Sequence, residues 1–577
     1  MVWKALTDGL AEALRTQGID PEPALARLEL AIPRDPAHGD WTTNLAMLLG
    51  KQQKRAPRPL AEALAAAFAR DPALFSAVEV AGPGFLNFRY APEFLNRLPG
   101  RIVREDERFG SHDHAAGTAI QVEYVSANPT GPLNVVNARA AAVGAALVRL
   151  LNATGHRASG EFYVNDAGNQ VDLLGESIAA RFAERIGVTR AFPENGYQGE
   201  YLREIAAQLP GDEARARLSD PQGAAWFRDR ALEAMLASQQ KDLADYGAEF
   251  AVWFRESSLH ASGAVDAALH ALEVRSMTYR ATEPEIDRSR DRRSDVAPPA
   301  AAPEVATFVR TAQFGDDKDR VIVKSNGVPT YLLPDIAYHV DKRTRGFRHS
   351  IDLWGPDHHG HVLPLQAALD AVGLEHDFLE VLIVQQVNLL SGGQPVKMSK
   401  RAGEFISLRD LMEDIGPDCA KFFFLLRSTS AHLDFDLDLA RRQNDENPAF
   451  YVQYAHARIC SILRLAAERG IAPAPDAGVR LEAAEEIALA RKLATFPEVV
   501  RGAAFAREPH RLPTFLMETA AEFHRFYHAC RVVGEDRAQS ESRVRLAESA
   551  RVVLRNGLAL LGVTAPDRME RLEEATA

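Results

Sequence analysis

Apolar and polar positions follow two rhythms along the 577-residue chain. Near the N-terminus, Leu6, Leu10, Ala13 and Leu14 recur at helical spacing. Val78 and Val80, then Phe85, Leu86 and Phe88, read as short strands around a Gly82-Pro83-Gly84 turn. Residues 1–110 are therefore expected to form a small α+β domain, with the polar stretch 109–117 as linker. Ile120, Val122 and Tyr124 then alternate as a strand. A Pro/Gly turn at 128–132, an Ala-rich helix over about 135–151, a stop at 152–155 and a strand at 162–164 follow. Strand, helix, strand is a βαβ unit and demands a parallel sheet. The apolar run 378–387 is expected to add a strand at a buried sheet position. Residues 111–446 thus read as an α/β, doubly wound, Rossmann-type domain, interrupted by a mostly helical excursion over about 171–280. Ligands of such a domain sit beyond the carboxyl ends of its strands. From Asn447 to residue 577 the pattern is all-helical: Leu554, Leu558 and Leu561 form a stripe that Gly562 and Pro566 end.

Composition changes this picture little. Apolar residues make up 46% and charged residues 25%, as in soluble globular proteins. No uninterrupted apolar run of about eighteen residues suggests a membrane span, and residues 1–10 lack the features of a secretion signal. Cys419, Cys460 and Cys530 are few, odd in number and widely spaced, which fits a reducing compartment, the cytoplasm, and argues against a disulfide framework or structural zinc. The net charge of −12 does not advertise a nucleic-acid binder, but phosphate affinity depends on local basic placement. Residues 287–303 read as a surface loop. Their Arg288, Arg290, Arg292 and Arg293 are interleaved with aspartates, which favours a solvated stretch over an RNA contact.

The chemistry concentrates in a few segments. Lys397-Met398-Ser399-Lys400-Arg401 follows a strand and a Gly392-Gly393 turn. Two lysines flanking a small hydroxyl suit a triphosphate whose leaving pyrophosphate gathers negative charge. His358, His359 and His361 form a tempting metal cluster, yet no Cys or Glu-x-x-His partner supports zinc, and no metal site is assigned. Residues 123–144 read E-Y-V-S-A-N-P-T-G-P-L-N-V-V-N-A-R-A-A-A-V-G. Further blocks are G-P-G-F-L-N-F at 82–88, F-Y-V-N-D-A-G-N-Q at 162–170, G-D-D-K-D-R-V at 315–321, D-I-A-Y-H at 335–339, Y-V-Q-Y-A-H-A-R at 451–458 and G-V-T-A-P-D-R-M at 562–569.

In their order these blocks resemble the arginyl-tRNA synthetases over nearly the whole chain, and K-M-S-K resembles the lysine signature of class I aminoacyl-tRNA synthetases. One departure stands out. Where the family's first signature has histidine, glycine and histidine, this chain has Asn134, Val136 and Asn137. An Asn amide still donates a hydrogen bond but is shorter, neutral and does not titrate. The resemblance implies ATP-dependent activation of L-arginine and its transfer to tRNA(Arg) by a monomer, with ATP and Mg²⁺ and no organic cofactor. A non-catalytic tRNA-binding paralogue is the alternative. A nucleotidyl transferase without RNA does not explain the helical C-terminal domain.

By the same resemblance, Gly131, Pro132, Leu133, Asn134, Asn137, Met398, Ser399 and Lys400 would bind ATP, with Lys397, Lys400, Asn134 and Asn137 catalytic. Asn134 and Asn137 are expected at a helix N-terminus with free backbone N–H groups. A guanidinium is planar and always charged, so its pocket needs carboxylates. Glu123, Glu256 and Asp335 match the guanidinium partners, Asn128 and Asp357 the α-amino partners, and Tyr331 a cap. The bland reading, an ordinary surface carboxylate, is weak for Glu123 on its apolar strand and stronger for Glu256. Phe85 and Asn87 match positions touching the tRNA D-loop region, although Phe85 reads equally well as core. Tyr451, Tyr454 and Arg458 match anticodon contacts, although helix packing explains at least one tyrosine as well.

Overall fold

The computed structural model describes residues 2–26, 28–33, 35–282, 305–396 and 406–569. At the N-terminus, helix Val2–Thr16 turns Leu6, Leu10, Ala13 and Leu14 inward. They join Trp41, Phe75 and Phe88 in one core. Those aromatics lie on an antiparallel sheet of β1 (Trp41–Thr43), β2 (Phe75–Ala81) and β3 (Phe85–Tyr90), ordered β1-β3-β2. The turn between β2 and β3 holds Gly82 at φ 52° and Gly84 at φ 142°, a region that other residues rarely enter.

The βαβ unit is present as β4 (Ala119–Glu123), helix Val135–Ala153 and β5 (Arg157–Val164). The excursion that follows is mostly helical, with Asn169–Arg185 and Gly223–Tyr246 its longest helices. It also carries β6 (Val252–Arg255) and β7 (Thr278–Thr282). β7 joins β8 (Val305–Val309) and β9 (Arg320–Val323) in a small antiparallel sheet. After helix Leu332–Thr344, β10 (His349–Trp354) and β11 (Leu379–Ile383) complete a five-stranded parallel sheet ordered β11-β10-β4-β5-β6. The chain winds from β4 out to β6, then returns to the other side for β10 and β11. The switch point therefore lies between β4 and β10, where α/β folds bind ligands.

The run 378–387 is not one buried strand. It divides between β11, at the edge of the parallel sheet, and β12 (Val387–Ser391). β12 pairs with β13 (Gln394–Pro395) and β14 (Leu433–Asp436) in a separate sheet. The reason is backbone pairing between the two: Val384 N–H bonds the Trp354 carbonyl at 2.8 Å, while Gln385 N–H bonds Thr429 at 2.9 Å. Periodicity cannot see such a change of partner.

Helix Val135–Ala153 is the one described helix long and apolar enough to cross a membrane, but 67% of that stretch is buried inside the fold. Beyond Asn447 the described elements are helical, with Pro448–Glu468, Arg511–Ala529 and Arg537–Leu561 the longest. Leu554, Leu558 and Leu561 are fully buried, and Gly562 closes the helix at φ 70°. Asn556 Nδ2 donates to the carbonyls of Asp106 (2.7 Å) and Phe109 (3.0 Å), which ties the expected linker to this last helix. The loop 287–303 lies outside the described residues.

Candidate active site

Strand register builds the floor of the site. Asp352 on β10 lies opposite Glu123 on β4, and Glu123 lies opposite Glu161 on β5. Residues paired this way share a face of the sheet, so three buried carboxylates stand in a row. Such a row is untenable without partners. Helix Leu332–Thr344 supplies them. Lys342, fully buried, donates from Nζ to Glu123 Oε2 (2.9 Å), Asp352 Oδ1 (3.0 Å) and Ser350 Oγ (3.1 Å). Arg345 forks onto Glu161 at 2.7 and 2.8 Å, and Tyr338 Oη donates to the same carboxylate at 2.8 Å. His339 lies 2.8 Å from the Asp335 carbonyl through Nδ1 and 3.1 Å from Asp352 Oδ2 through Nε2. Burial pulls Lys342 down, but Asp352 and Glu123 overcome this and hold it above the usual lysine range. Burial likewise works against the Asp352 carboxylate, and Lys342 and His339 still keep it well below the ordinary range. Burial raises Glu123, with Lys342 offsetting part of that.

At the carboxyl ends of the strands, Glu123 of this row and two further acidic groups surround Tyr163. Glu123 ends β4, Glu256 follows β6, and Asp335 lies in the first turn of helix Leu332–Thr344. The Tyr163 phenol is pushed far up, first by burial, then by Glu256, Asp335 and Glu123 in turn. Glu256 is raised by burial; its hydrogen bond with Tyr163 offsets this and Asp335 adds to it. Tyr338 packs 4.7 Å from both Tyr163 and Phe254, giving the pocket an aromatic wall. The turn leaving β4 holds Val125 at φ 72° and Ser126 at φ 37°, a conformation that a β-branched residue adopts only under constraint. Ser126 Oγ supplies the constraint: it donates to Glu123 Oε1 at 2.9 Å and accepts Tyr163 N–H at 3.1 Å. Acidic, half-enclosed and aromatic-walled, the pocket suits a planar organic cation.

Of the remaining pocket candidates, none hydrogen-bonds the three carboxylates. Asn128 is exposed and donates to Gln170 Oε1 at 3.0 Å. Tyr331 is 84% exposed at the head of its helix. Asp357 is exposed beside His358.

The first-signature loop is held from outside the signature. Gln239 Nε2 donates to the Gly131 carbonyl at 2.9 Å, and Tyr201 Oη to Thr130 at 2.7 Å. Pro132 is half-buried and Leu133 fully buried. Asn134 is the N-cap of helix Val135–Ala153: its Oδ1 accepts from Val136 N–H (2.9 Å) and Asn137 N–H (3.2 Å), and Asn137 Oδ1 accepts from Asn134 N–H (3.0 Å). This reciprocal capping box corrects the expectation of free backbone donors for Asn134, Val136 and Asn137, whose N–H groups the side-chain oxygens take. Neither Nδ2 has a partner among the described residues. Arg139, fully buried, donates to the carbonyls of Gln385 (2.8 Å), Ser428 (2.8 Å) and Ala431 (3.0 Å), stitching the helix to the segments beside β12 and β14. Burial pulls its pKa down to about 10, still charged at neutral pH.

Lys397, Met398, Ser399 and Lys400 lie outside the described residues. Their flanks do not. Val396 N–H bonds Leu389 at 2.9 Å, and beyond them Leu408 N–H bonds the Leu133 carbonyl at 2.8 Å while Ser407 bridges Asn134. The chain thus leaves the lysine segment against the head of the signature helix.

Of the RNA candidates, Phe85 is 36% exposed. Asn87 is buried and accepts from Thr42 Oγ1 at 2.6 Å. Tyr451, Tyr454 and Arg458 are half-buried: Tyr454 stacks on Phe450, Tyr451 lies beside His524, and the Arg458 guanidinium sits 4.5 Å over Tyr527. His456, Cys460 and Asp567 have ligand-like spacing. Cys460 Sγ donates to Asp567 at 3.4 Å and His456 Nδ1 to the Pro566 carbonyl at 3.0 Å, while the buried His456 Nε2 has no partner among the described residues. Burial pushes the Cys460 thiol up to about 11, which keeps that proton in place.

Sequence reasoning missed Lys342, Tyr163, Gln239, Arg139 and the pairing of His361 with Asp335, since each acts on a residue distant in sequence. The capping box was readable, because Asn134 and Asn137 stand three apart before a helix.

Comparison with known proteins covers the whole arrangement. The profile of the arginyl tRNA synthetase N-terminal domain matches residues 4–90, that of the tRNA synthetases class I (R) catalytic domain residues 101–420, and that of the DALR anticodon binding domain residues 452–569. The arginine–tRNA ligase of Moorella thermoacetica is 42% identical over 570 residues, 98% of each chain. That of Bacillus subtilis is 39% identical over 568 residues, again 98% of each. The solved arginyl-tRNA synthetase of Campylobacter jejuni superposes with a TM-score of 0.73 at 30% identity, covering 83% of this chain and all of that one. The Thermus thermophilus arginyl-tRNA synthetase shares the fold at 22% identity, TM-score 0.77, covering 99% of this chain and all of that one.

Proposed function

The chain belongs to the arginyl-tRNA synthetase family, and from that membership we propose how its own residues carry the reaction. The enzyme is an arginine–tRNA ligase that uses arginine, ATP and tRNA. No relative supports a non-catalytic alternative. The observation that carries the site assignment is the convergence of Glu123, Glu256 and Asp335 on Tyr163 at the carboxyl ends of β4, β5 and β6.

In our reading the guanidinium lies between Asp335 and Glu256, with Glu123 beneath. Lys342 and Ser126 each take one lone pair of Glu123, and a carboxylate has about four acceptor positions, so it still accepts from substrate. Asn128 and Asp357 take the α-amino group and Tyr331 covers the side chain. The arginine carboxylate oxygen attacks the α-phosphorus of ATP, the bond to the bridging oxygen breaks, and pyrophosphate leaves. Gly131, Pro132 and Leu133 shape the nucleotide side, the Asn134 and Asn137 amides donate to phosphate, and Lys397 and Lys400, with Met398 and Ser399 between, stabilise the departing charge. Mg²⁺ arrives with ATP as part of the substrate. A terminal ribose hydroxyl of tRNA then attacks the adenylate carbonyl carbon and AMP leaves. We assign residues 1–110, with Phe85 at the surface and Asn87 supporting it, to the tRNA D-loop region. Residues 447–577, with Tyr451, Tyr454 and Arg458, take the anticodon, and residues 111–446 the chemistry. The enzyme works as a cytoplasmic monomer. ATP–pyrophosphate exchange tests the assignment: exchange that requires arginine and rises with tRNA supports it, and exchange indifferent to arginine refutes it.

The Asn pair has a separate test. Asn134→Asp and Asn137→Asp keep the capping oxygens and remove the amide donors, whereas the alanine variants remove both. A donor to a transition-state oxyanion is worth about 2.7–4 kcal/mol at best. Each of the four variants is expected to lower kcat about tenfold or more. Only the alanines also lose about 0.5–2 kcal/mol of stability. Parental turnover in both aspartate variants rules out the contact.

A further inference from the structure

His361 is the one member of the 358–361 histidine group whose ring bonds a carboxylate proposed for the guanidinium. Its Nε2 lies 2.8 Å from Asp335 Oδ2. The ring stacks on Trp354, centroids 5.8 Å apart and planes at 27°, so its orientation is fixed from the opposite side. His361 and Asp335 occupy the first turns of two helices, His359–Val372 and Leu332–Thr344. Both side chains are about one-third exposed (32% each), as expected for groups at the mouth of a pocket. Asp335 accepts nothing else from a described side chain, so the imidazole alone sets the plane of this carboxylate. The other two acidic groups are already held, Glu123 by Lys342 and Ser126, and Glu256 by Tyr163.

We propose that His361 is a positioning residue for arginine specificity: its Nε2–H clamps Asp335 Oδ2 so that the carboxylate presents its plane and its other oxygen to the incoming guanidinium. The proposal rests on the assignment of Asp335 to the guanidinium. The clamp uses one of about four acceptor positions, so bidentate pairing with a planar fork remains open. A freely rotating carboxylate would meet an ammonium almost as well as a guanidinium. A fixed plane favours the guanidinium, whose two N–H bonds are parallel. The ring therefore contributes to the choice of arginine over lysine without touching either.

The test is steady-state ATP–pyrophosphate exchange, with tRNA present, on five variants of the full chain. His361→Phe keeps the ring against Trp354 and loses the donor, and His361→Asn keeps an amide too short to reach. Each is expected to raise the arginine KM about tenfold, with the ATP KM unchanged and kcat within about twofold, as for loss of uniform binding. His361→Gln, which restores a reaching N–H, is expected to recover most of that loss. In Asp335→Asn the charge that the clamp orients is gone, so adding His361→Phe costs less than twofold more. An unchanged arginine KM in both His361→Phe and His361→Asn, or no recovery with His361→Gln, overturns the proposal. An unchanged arginine KM in Asp335→Asn alone instead overturns the underlying assignment.

Discussion

Asp335→Asn raises the arginine KM at least about 100-fold in ATP–pyrophosphate exchange, while the ATP KM stays within about twofold. The substitution preserves volume and leaves an amide oxygen that still accepts from His361, so the local hydrogen bond survives. What it removes is the charge proposed to meet the guanidinium. Breaking one side of an enclosed ion pair costs about 3–5 kcal/mol, and each 1.36 kcal/mol is tenfold. The neighbouring carboxylates do not replace it, since Glu123 is engaged by Lys342 and burial with Asp335 nearby raises Glu256. Asp335→Asn also lessens that upward push on Glu256, which offsets a small part of the loss. Parental KM for arginine is incompatible with Asp335 as the guanidinium partner.

Lys342→Met destabilises the catalytic domain by about 3–5 kcal/mol at pH 7, the usual consequence of leaving buried charges without their partner. Glu123 and Asp352 face each other across β4 and β10, and among the described residues no other cation bridges them. The loss should shrink at acid pH. Lys342 stays charged across this range, because its folded-state pKa is raised and the stability it confers fades only in alkali. Asp352, held low in the parent, contributes stability above its unfolded pKa of about 3.9 and loses it only in stronger acid. In the variant, however, Glu123 is already raised by burial and loses the lysine that offset it. Its folded-state pKa rises further above the unfolded value, so protonation relieves the variant as pH falls towards about 5. Urea unfolding of parent and variant at pH 7 and pH 5 decides the matter. A loss below about 1 kcal/mol at pH 7, or one that does not shrink at pH 5, contradicts the pairing.

How much of this was legible depended on whether the cause was local. The βαβ unit could be read because strand alternation at 120–124 and the Ala-rich run after it are properties of neighbouring residues. The stripe of Leu554, Leu558 and Leu561 was equally plain. β10 was missed although it is central, because it carries His349, Ser350 and Asp352 and looks unlike a buried strand. Its polar face exists for Lys342, a residue whose pairing with Glu123 spans 219 positions. β11 was overrated for the opposite reason: it was read together with the start of β12 as one run, although Gln385 and Gln386 lie between them and each strand pairs in a different sheet. Glu123, Glu256 and Asp335 were each identifiable as acidic positions, but their convergence on Tyr163 needs three strands in register. The Asn134–Asn137 cap, by contrast, is a local pattern whose meaning lay in the helix beginning there.

The row of enclosed charges has a consequence for ionic strength. Dissolved ions screen exposed charges over about 8–10 Å but do not enter a site as closed as the one around Lys342. The buried part of the proposed arginine pocket, Glu123 with its Lys342 partner, is therefore little affected by salt, whereas Asp335, one-third exposed, is screened in part. Attachment to tRNA is far more sensitive: a chain of net charge −12 must meet a polyanion through local basic contacts, whose strength falls steeply as counterions crowd the phosphates. Between about 50 and 200 mM KCl the two halves of the reaction should separate, with arginine binding falling little and tRNA binding falling with a steep logarithmic slope. Salt thus weakens the hold on the nucleic acid far more than the hold on the amino acid.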